Sequence, residues 1–166
     1  RSLRAGAAAN LNDRGRAHLQ AASDWAEGRF HQGTVRYARI AQDNPRDAAA
    51  VQFAHVGCFF LGMQHELRDW PLQALRAFRS GEDGYSYIQG MAAFGFEECG
   101  DYARADIYGR QAVEADPRDG WAVHAVAHVN EMRGDLETGI PWLADNAQHW
   151  APDSGFAYHN WWHLAL

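Results

Sequence analysis

An all-α chain of paired helices is what this sequence predicts, on three observations. Apolar residues recur at helical spacing along most of the chain. No stretch alternates apolar and polar residues with the period of two that a strand needs. A segment also repeats: "NPRDAAAV" at 44–51 returns as "DPRDGWAV" at 116–123, an offset of 72 residues.

In chain order, the alanine-rich start at 5–9 reads as a weak helix or a frayed end, not a targeting segment. Helices are expected over 14–27 and 30–42. "DNPRD" at 43–47 closes the second, because Pro45 cannot continue it and Asp47 can cap the next helix, 47–63. A shorter helix is expected over 70–79, followed by "GEDG" (81–84) as an inserted turn. The next helix, 85–99, ends at "CGDY" (99–102). There a glycine supplies the left-handed C-terminal position and Asp101 caps the helix over 102–115. "ADPRD" at 115–119 repeats the proline-and-aspartate junction ahead of 119–133. "RGDL" at 133–136 repeats the glycine turn, with Asp135 as cap, ahead of 136–149. A last helix is expected over 155–166.

An offset of 72 is two units of about 36, close to the 34-residue helix–turn–helix unit of tetratricopeptide repeats. The unit from Ser86 to Asp119 resembles that pattern best. Ala93, Ala105 and Ala112 are small where paired helices must approach, Phe96 fills between them, and Pro117 closes the unit. The expected fold class is therefore an all-α, tetratricopeptide-like α-α superhelix, a solenoid of antiparallel helix pairs. Residues 1–166 form a single domain of it, compact and imperfect rather than a regular array. The chain does not begin with Met and stops at "HNWWHLAL", so it reads as a fragment of a longer protein.

Composition narrows the function classes. Hydrophobic residues at 47% speak against disorder, and no run of 18 apolar residues exists, so no membrane span is expected. A formal charge of −6 argues against a nucleic-acid partner, which needs a cationic surface. All 15 basic residues are arginine. A Schiff-base lysine and a P-loop lysine are thus both absent, and the arginine and alanine bias fits a GC-rich bacterial genome. Cys58 and Cys99 are too few for a disulfide framework and read as reduced core thiols, which points to the cytoplasm. Met63, Met91 and Met132 read as core or groove lining. His18, His31, His65 and His149 are isolated and read as surface or packing residues.

The stretch "WAVHAVAHVNEM" (121–132) raises the functional question. At about 100° per residue, His124, His128 and Glu131 fall within roughly 60° of helical arc. His159 and His163 are likewise one turn apart. Resemblance to the tetratricopeptide class implies that the first helix of each pair lines a concave groove at unit positions 2, 5, 9, 12 and 13. That carries over to Tyr87, Gly90, Phe94, Glu97 and Glu98 in one unit. In the next it carries over to Trp121, His124, His128, Glu131 and Met132, and in the last to Phe156, His159 and His163.

More specifically, "DPRDGWAVHAVAHVNEM", "YHNWWHLAL", "SYIQGMAAFGFEE" and "AAAVQFAHVGCFFLGMQHELRD" resemble the tetratricopeptide repeat protein 38 family, over about residues 17 to 166. The pieces H-x-V-A-H-x-x-E-M and H-N-x-W-H carry most of the likeness. The family positions fall on His55, Asp69, Tyr87, Gly90, Phe94, Gly95, Glu98, His124, His128, Glu131, His159, Asn160, Trp162 and His163. The resemblance implies a fold and a set of site residues, and no reaction. Residues 70–84 depart most from the family pattern.

Four readings of the cluster follow. His124, Glu131, His159 and Asn160 would form a buried hydrogen-bond network that locks neighbouring repeats. Alternatively, Tyr87, Phe94, Trp121 and Trp162 would wall a pocket for a small molecule or peptide partner, oriented by Glu98, His124, His128, Glu131, His159, Asn160 and His163. A third reading gives zinc or another divalent metal the ligands His124, His128, His159 and His163, with Glu98 or Glu131 as ligand or base. The last is a metal-free acid–base enzyme using a His–Glu pair. The HExxH and paired E-x-x-H motifs are absent. Cys99 makes a poor nucleophile, because a helix C-terminus disfavours a thiolate. The binding pocket is the leading expectation and a hydrolase-like enzyme the alternative.

Overall fold

A computed structural model describes residues 11–152 and 154–166, and among these every regular element is a helix. In chain order they are α1 (Asp13–Ala26), α2 (Phe30–Asp43), α3 (Ala48–Leu61), α4 (Gln64–Leu75), α5 (Tyr85–Glu98), α6 (Tyr102–Ala115), α7 (Gly120–Arg133), α8 (Leu136–Asp145), α9 (Ala147–Trp150) and α10 (Ala157–Ala165). The stretch 5–9 lies outside the described residues. Four hairpins pair α1 with α2, α3 with α4, α5 with α6 and α7 with α8. Their first helices, and α10 after them, begin at residues 13, 48, 85, 120 and 157, so the repeat of about 36 persists. The all-α helical-repeat architecture is as expected. No described helix is long and apolar enough to cross a membrane.

Successive first helices also touch one another: α3 meets α5, α5 meets α7, and α7 meets α10. This makes an inner layer flanked by the second helices of the hairpins. Burial follows from position in that layer. In α5 every residue from Ile88 to Glu97 is buried, and in α7 every residue from Ala122 to Ala127. Helices covered on all sides carry little amphipathic pattern, which is why these two read as continuous apolar stretches. Ala93, Ala105 and Ala112 are completely buried at the contacts where small side chains were expected. Phe96 packs with Ala105 and Val129, edge-on to Tyr108 at 5.1 Å.

Polar contacts fix the junctions. Asp47 accepts from the Ala50 N–H at the start of α3 and lies 2.9 Å from His18 Nε2, so His18 is a tether between α1 and α3 rather than an isolated residue. Asp24, fully buried, is held by Arg29 and Arg36, whose hydrogen bonds pull its carboxyl down to about 2. Asp101 and Asp119 cap α6 and α7 as expected, whereas Asp135 makes no side-chain cap bond. Cys99 is only partly buried, unlike the fully buried Cys58.

Two helices differ from expectation. The segment expected as 70–79 is α4, which begins at Gln64 and ends at Leu75. Gly62 adopts the left-handed conformation (φ 67°) and stops α3 early, so α4 starts at once. Asp69-Trp70-Pro71 looks like a helix start, yet Pro71 sits inside α4. A proline there cannot donate to the Leu67 carbonyl. The freed carbonyl faces Gly95 of α5. The helix expected over 136–149 breaks at Asn146, leaving the short α9. The break lets Trp150 turn inward, fully buried, with its Nε1–H donating to the Leu143 carbonyl at 3.1 Å.

At Gly95 the backbones of α4 and α5 are in close contact. A Cβ there would lie 2.4 Å from Arg68 Cα and 2.7 Å from the Leu67 oxygen, both backbone atoms that cannot rotate away. Gly95→Ala should therefore lower unfolding stability by about 1–3 kcal/mol, the usual cost of overpacking, read from the midpoint of urea denaturation. An unchanged midpoint would mean the two helices can separate freely.

Candidate functional site

The inner layer encloses a cavity of about 500 Å³. Helix α3 contributes His55, Val56, Phe59 and Phe60, and α5 contributes Phe94. Helix α7 adds Trp121, His124, His128, Glu131 and Met132. Phe156 and α10 close the wall with His159, Trp162 and His163. Two contacts set its geometry. The Asp119 carboxylate accepts from the Trp121 and Ala122 N–H groups at 3.0 and 3.2 Å, fixing the first turn of α7. Asn160, completely buried, donates from Nδ2 to the Gly120 carbonyl at 3.1 Å and pins α10 against the start of α7. With both helices so held, the one-turn spacing on each turns four imidazoles toward one another.

The rings of His128 and His163 lie 4.6 Å apart between centroids, and those of His124 and His128 4.2 Å. His159 Nε2 is 3.1 Å from His124 Nε2 and also 3.1 Å from His163 Nε2. One ring nitrogen from each of the four histidines falls in a group no wider than 4.8 Å. Two carboxylates back this group. Glu131 Oε2 lies 3.0 Å from His163 Nδ1, and Glu97 Oε2 lies 3.4 Å from His128 Nδ1. The Glu97 oxygen is buried without a hydrogen bond, as is His124 Nδ1. Glu97, Glu98 and His128 make a second, overlapping group of potential ligands.

Burial disfavours the charged form of several groups in and behind the pocket. Burial, then the neighbouring imidazoles, hold His124 well below the usual imidazole range. Burial and His128 lower His159. Burial and His128 also lower His163, with Glu131 opposing. Burial lowers His55 to about 4, against the Met91 carbonyl 3.0 Å from its Nε2. Burial raises the Glu98 carboxyl, helped by Glu97 and opposed by His128. Imidazoles in an aromatic-walled cavity can donate or accept single hydrogen bonds, accept a proton, or give lone pairs to a cation.

Of the residues expected at the site, Phe94, Trp121, His124, His128, Glu131, His159, Trp162 and His163 line this cavity together. Tyr87, Glu98 and Asn160 do not. Tyr87 points its hydroxyl to Gln52 Oε1 at 2.6 Å and borders a separate hollow beside Asp119. Glu98 sits behind His128, next to Glu97. Asn160 acts on the backbone rather than in a histidine network, and Glu131 pairs with His163 rather than with His124. Cys99 donates its thiol to the Gln64 carbonyl at 3.2 Å, and burial raises its pKa, so it is not poised as a nucleophile. A hollow of about 580 Å³ near the 80–86 turn has no imidazole in its lining.

Val56, Phe59 and Phe60 were not anticipated. The signal was available: counted from Asp47, they occupy positions 9, 12 and 13 of the third helix, the same positions that give His128, Glu131 and Met132 in α7.

Fold and site together define a helical-repeat protein with a histidine- and aromatic-lined pocket on its inner layer. A comparison with protein-family models finds none that matches the chain.

The lowered histidines tie stability to pH. In the unfolded chain His55 takes up a proton near 6.5, but in the folded chain only near 4, so acidification favours unfolding across that window. His124, His159 and His163 act in the same sense. Asp119, raised by burial to about 6, acts in the opposite sense. The His55 share is on the order of 3 kcal/mol between pH 7 and pH 4. His55→Gln keeps a donor for the Met91 carbonyl and removes the titration. Its urea midpoint should fall less than the parent's between pH 7 and pH 4.5, and an equal fall would show His55 is not protonated on unfolding.

Proposed function

We propose that this protein binds a small molecule with a flat apolar body in the inner-layer cavity. The observation that carries the reading is the wall: aromatic rings from α3, α5, α7 and α10 surround one cavity of about 500 Å³ with imidazoles at its floor. That volume lies in the range of small-ligand sites, where apolar walls supply contact area and a few polar groups orient the guest. Trp121 and Phe156 stack at 4.1 Å with 17° between planes, a preformed flat face. A small molecule suits the site better than an extended peptide, because the lining residues gather at one hollow rather than along a groove.

Membership of the tetratricopeptide repeat protein 38 family is part of this proposal. What supports it is that its two most specific motif pieces lie on the facing helices α7 and α10, with His55 and Phe94 on the same cavity. A second reading, a hydrolase-like acid–base or metal-assisted enzyme, is favoured by the carboxylate–imidazole pairs Glu131–His163 and Glu97–His128.

The test uses the apolar anionic dye 8-anilinonaphthalene-1-sulfonate. Its fluorescence should rise saturably with one site per chain. Phe59→Ala and Trp162→Ala, half-exposed residues on opposite walls, should each weaken binding about tenfold, the effect of about 1.4 kcal/mol of lost contact. Tyr87→Phe, outside the cavity, should not. Equal dye binding by all four proteins, or none by the parent, would sink the reading.

A further inference from the structure

We propose that His124, His159 and His163, with His128 as fourth donor, hold a divalent transition-metal cation of the zinc class. This stands apart from the small-molecule reading, because a cation needs the imidazoles and not the aromatic wall.

The argument begins with the valence of His159 Nε2. An imidazole nitrogen carries either one hydrogen or one lone pair in the ring plane. His159 Nε2 nonetheless lies 3.1 Å from both His124 Nε2 and His163 Nε2. Hydrogen bonding can satisfy one of those two approaches and leaves the other as a contact between like groups. A cation satisfies all of them, since each nitrogen then gives its lone pair to a common centre. Tetrahedral zinc at about 2.0–2.1 Å from nitrogen places its ligand atoms about 3.4 Å apart, near the 3.1 Å of the two His159 pairs.

The surrounding groups suit that assignment. Ligating histidines characteristically donate their other N–H to a carboxylate, which fixes the tautomer with its lone pair on the metal side. Glu131 stands at His163 Nδ1 and Glu97 at His128 Nδ1 in that relation. The burial of Glu97 adds to this. Its side chain is 6% exposed, and its buried Oε2 makes no hydrogen bond among the described residues, with His128 Nδ1 facing it at 3.4 Å. Such an oxygen is costly unless a positive charge or a donor faces it. A metal on His128 would force Nδ1–H toward Glu97, and the two carboxylates would balance a divalent charge. His124 is held by packing instead, its ring against Phe94 and Phe156 at 5.1 and 5.2 Å. Four nitrogen donors with no thiolate favour zinc, copper, nickel or cobalt over magnesium or calcium.

The test takes the full chain without a polyhistidine tag, stripped with EDTA, and titrates it with Co²⁺ and then Zn²⁺. One equivalent of Co²⁺ should develop the visible absorption of a nitrogen-ligated, low-symmetry site, and one equivalent of Zn²⁺ should abolish it. His159→Phe and His163→Phe keep a ring and remove the nitrogens, and each should end stoichiometric uptake. Glu131→Gln should weaken uptake about 10- to 100-fold, the usual effect of losing such a carboxylate. His18→Gln, remote from the cluster, should bind as the parent does. Less than one equivalent bound by the parent overturns the proposal, whatever the variants do. So does undiminished binding by His159→Phe and His163→Phe. Repeating the dye titration on the same samples separates the two readings: dye without metal removes this site and leaves the pocket, and metal without dye does the reverse.

Discussion

The close contact of α7 with α10 is the constraint from which the rest of this structure follows. Asn160 and the Gly120 carbonyl join the two helices through a completely buried hydrogen bond, and Trp121 stacks on Phe156 beside it. At that separation one-turn histidine pairs on both helices cannot avoid each other. The imidazoles end up ring against ring, and burial with their mutual proximity makes His124, His159 and His163 harder to protonate. Buried polar groups are stable only if each finds a partner. His163 finds Glu131 and Glu97 Oε2 faces His128 Nδ1 at 3.4 Å, but His124 Nδ1 has no hydrogen bond among the described residues.

The same burial shapes the chemistry available. Ionisation is disfavoured for His124, His159, His163 and Glu98, because desolvation outweighs any help from neighbours. What remains strong is lone-pair donation, single hydrogen bonds and apolar contact. A pocket of this kind discriminates by shape and by coordination more than by charge. Glu131 and Glu97 sit against ring nitrogens, at His163 Nδ1 and His128 Nδ1. Glu131 both lines the cavity and meets an imidazole.

Much of the fold was legible because its signals are local. Proline and aspartate at 45–47 and 117–119, and glycine at 100 and 134, specify junctions through φ restriction and capping, which act over a few residues. The misreadings came where distant packing overruled a local signal. Pro71 resembles a helix start, yet α4 runs through it because Gly95 lets α5 lie against the carbonyl that Pro71 leaves free. Asn146 interrupts the long C-terminal helix so that Trp150 can be buried. No local propensity in 136–149 demands that break.

The site divides in the same way. Which histidines share a helical face was fixed by the sequence alone, since 100° per residue places His124 with His128 and His159 with His163 whatever surrounds them. Which carboxylate meets which ring was decided only by the tertiary structure: Glu131 crosses to His163, Glu97 backs His128, and Asn160 turns to the backbone. Phe59 and Phe60 likewise reach the cavity through the packing of α3 on α5. Helical periodicity is a property of one segment. The distance between two segments depends on every side chain packed between them, and no single stretch of the chain encodes it.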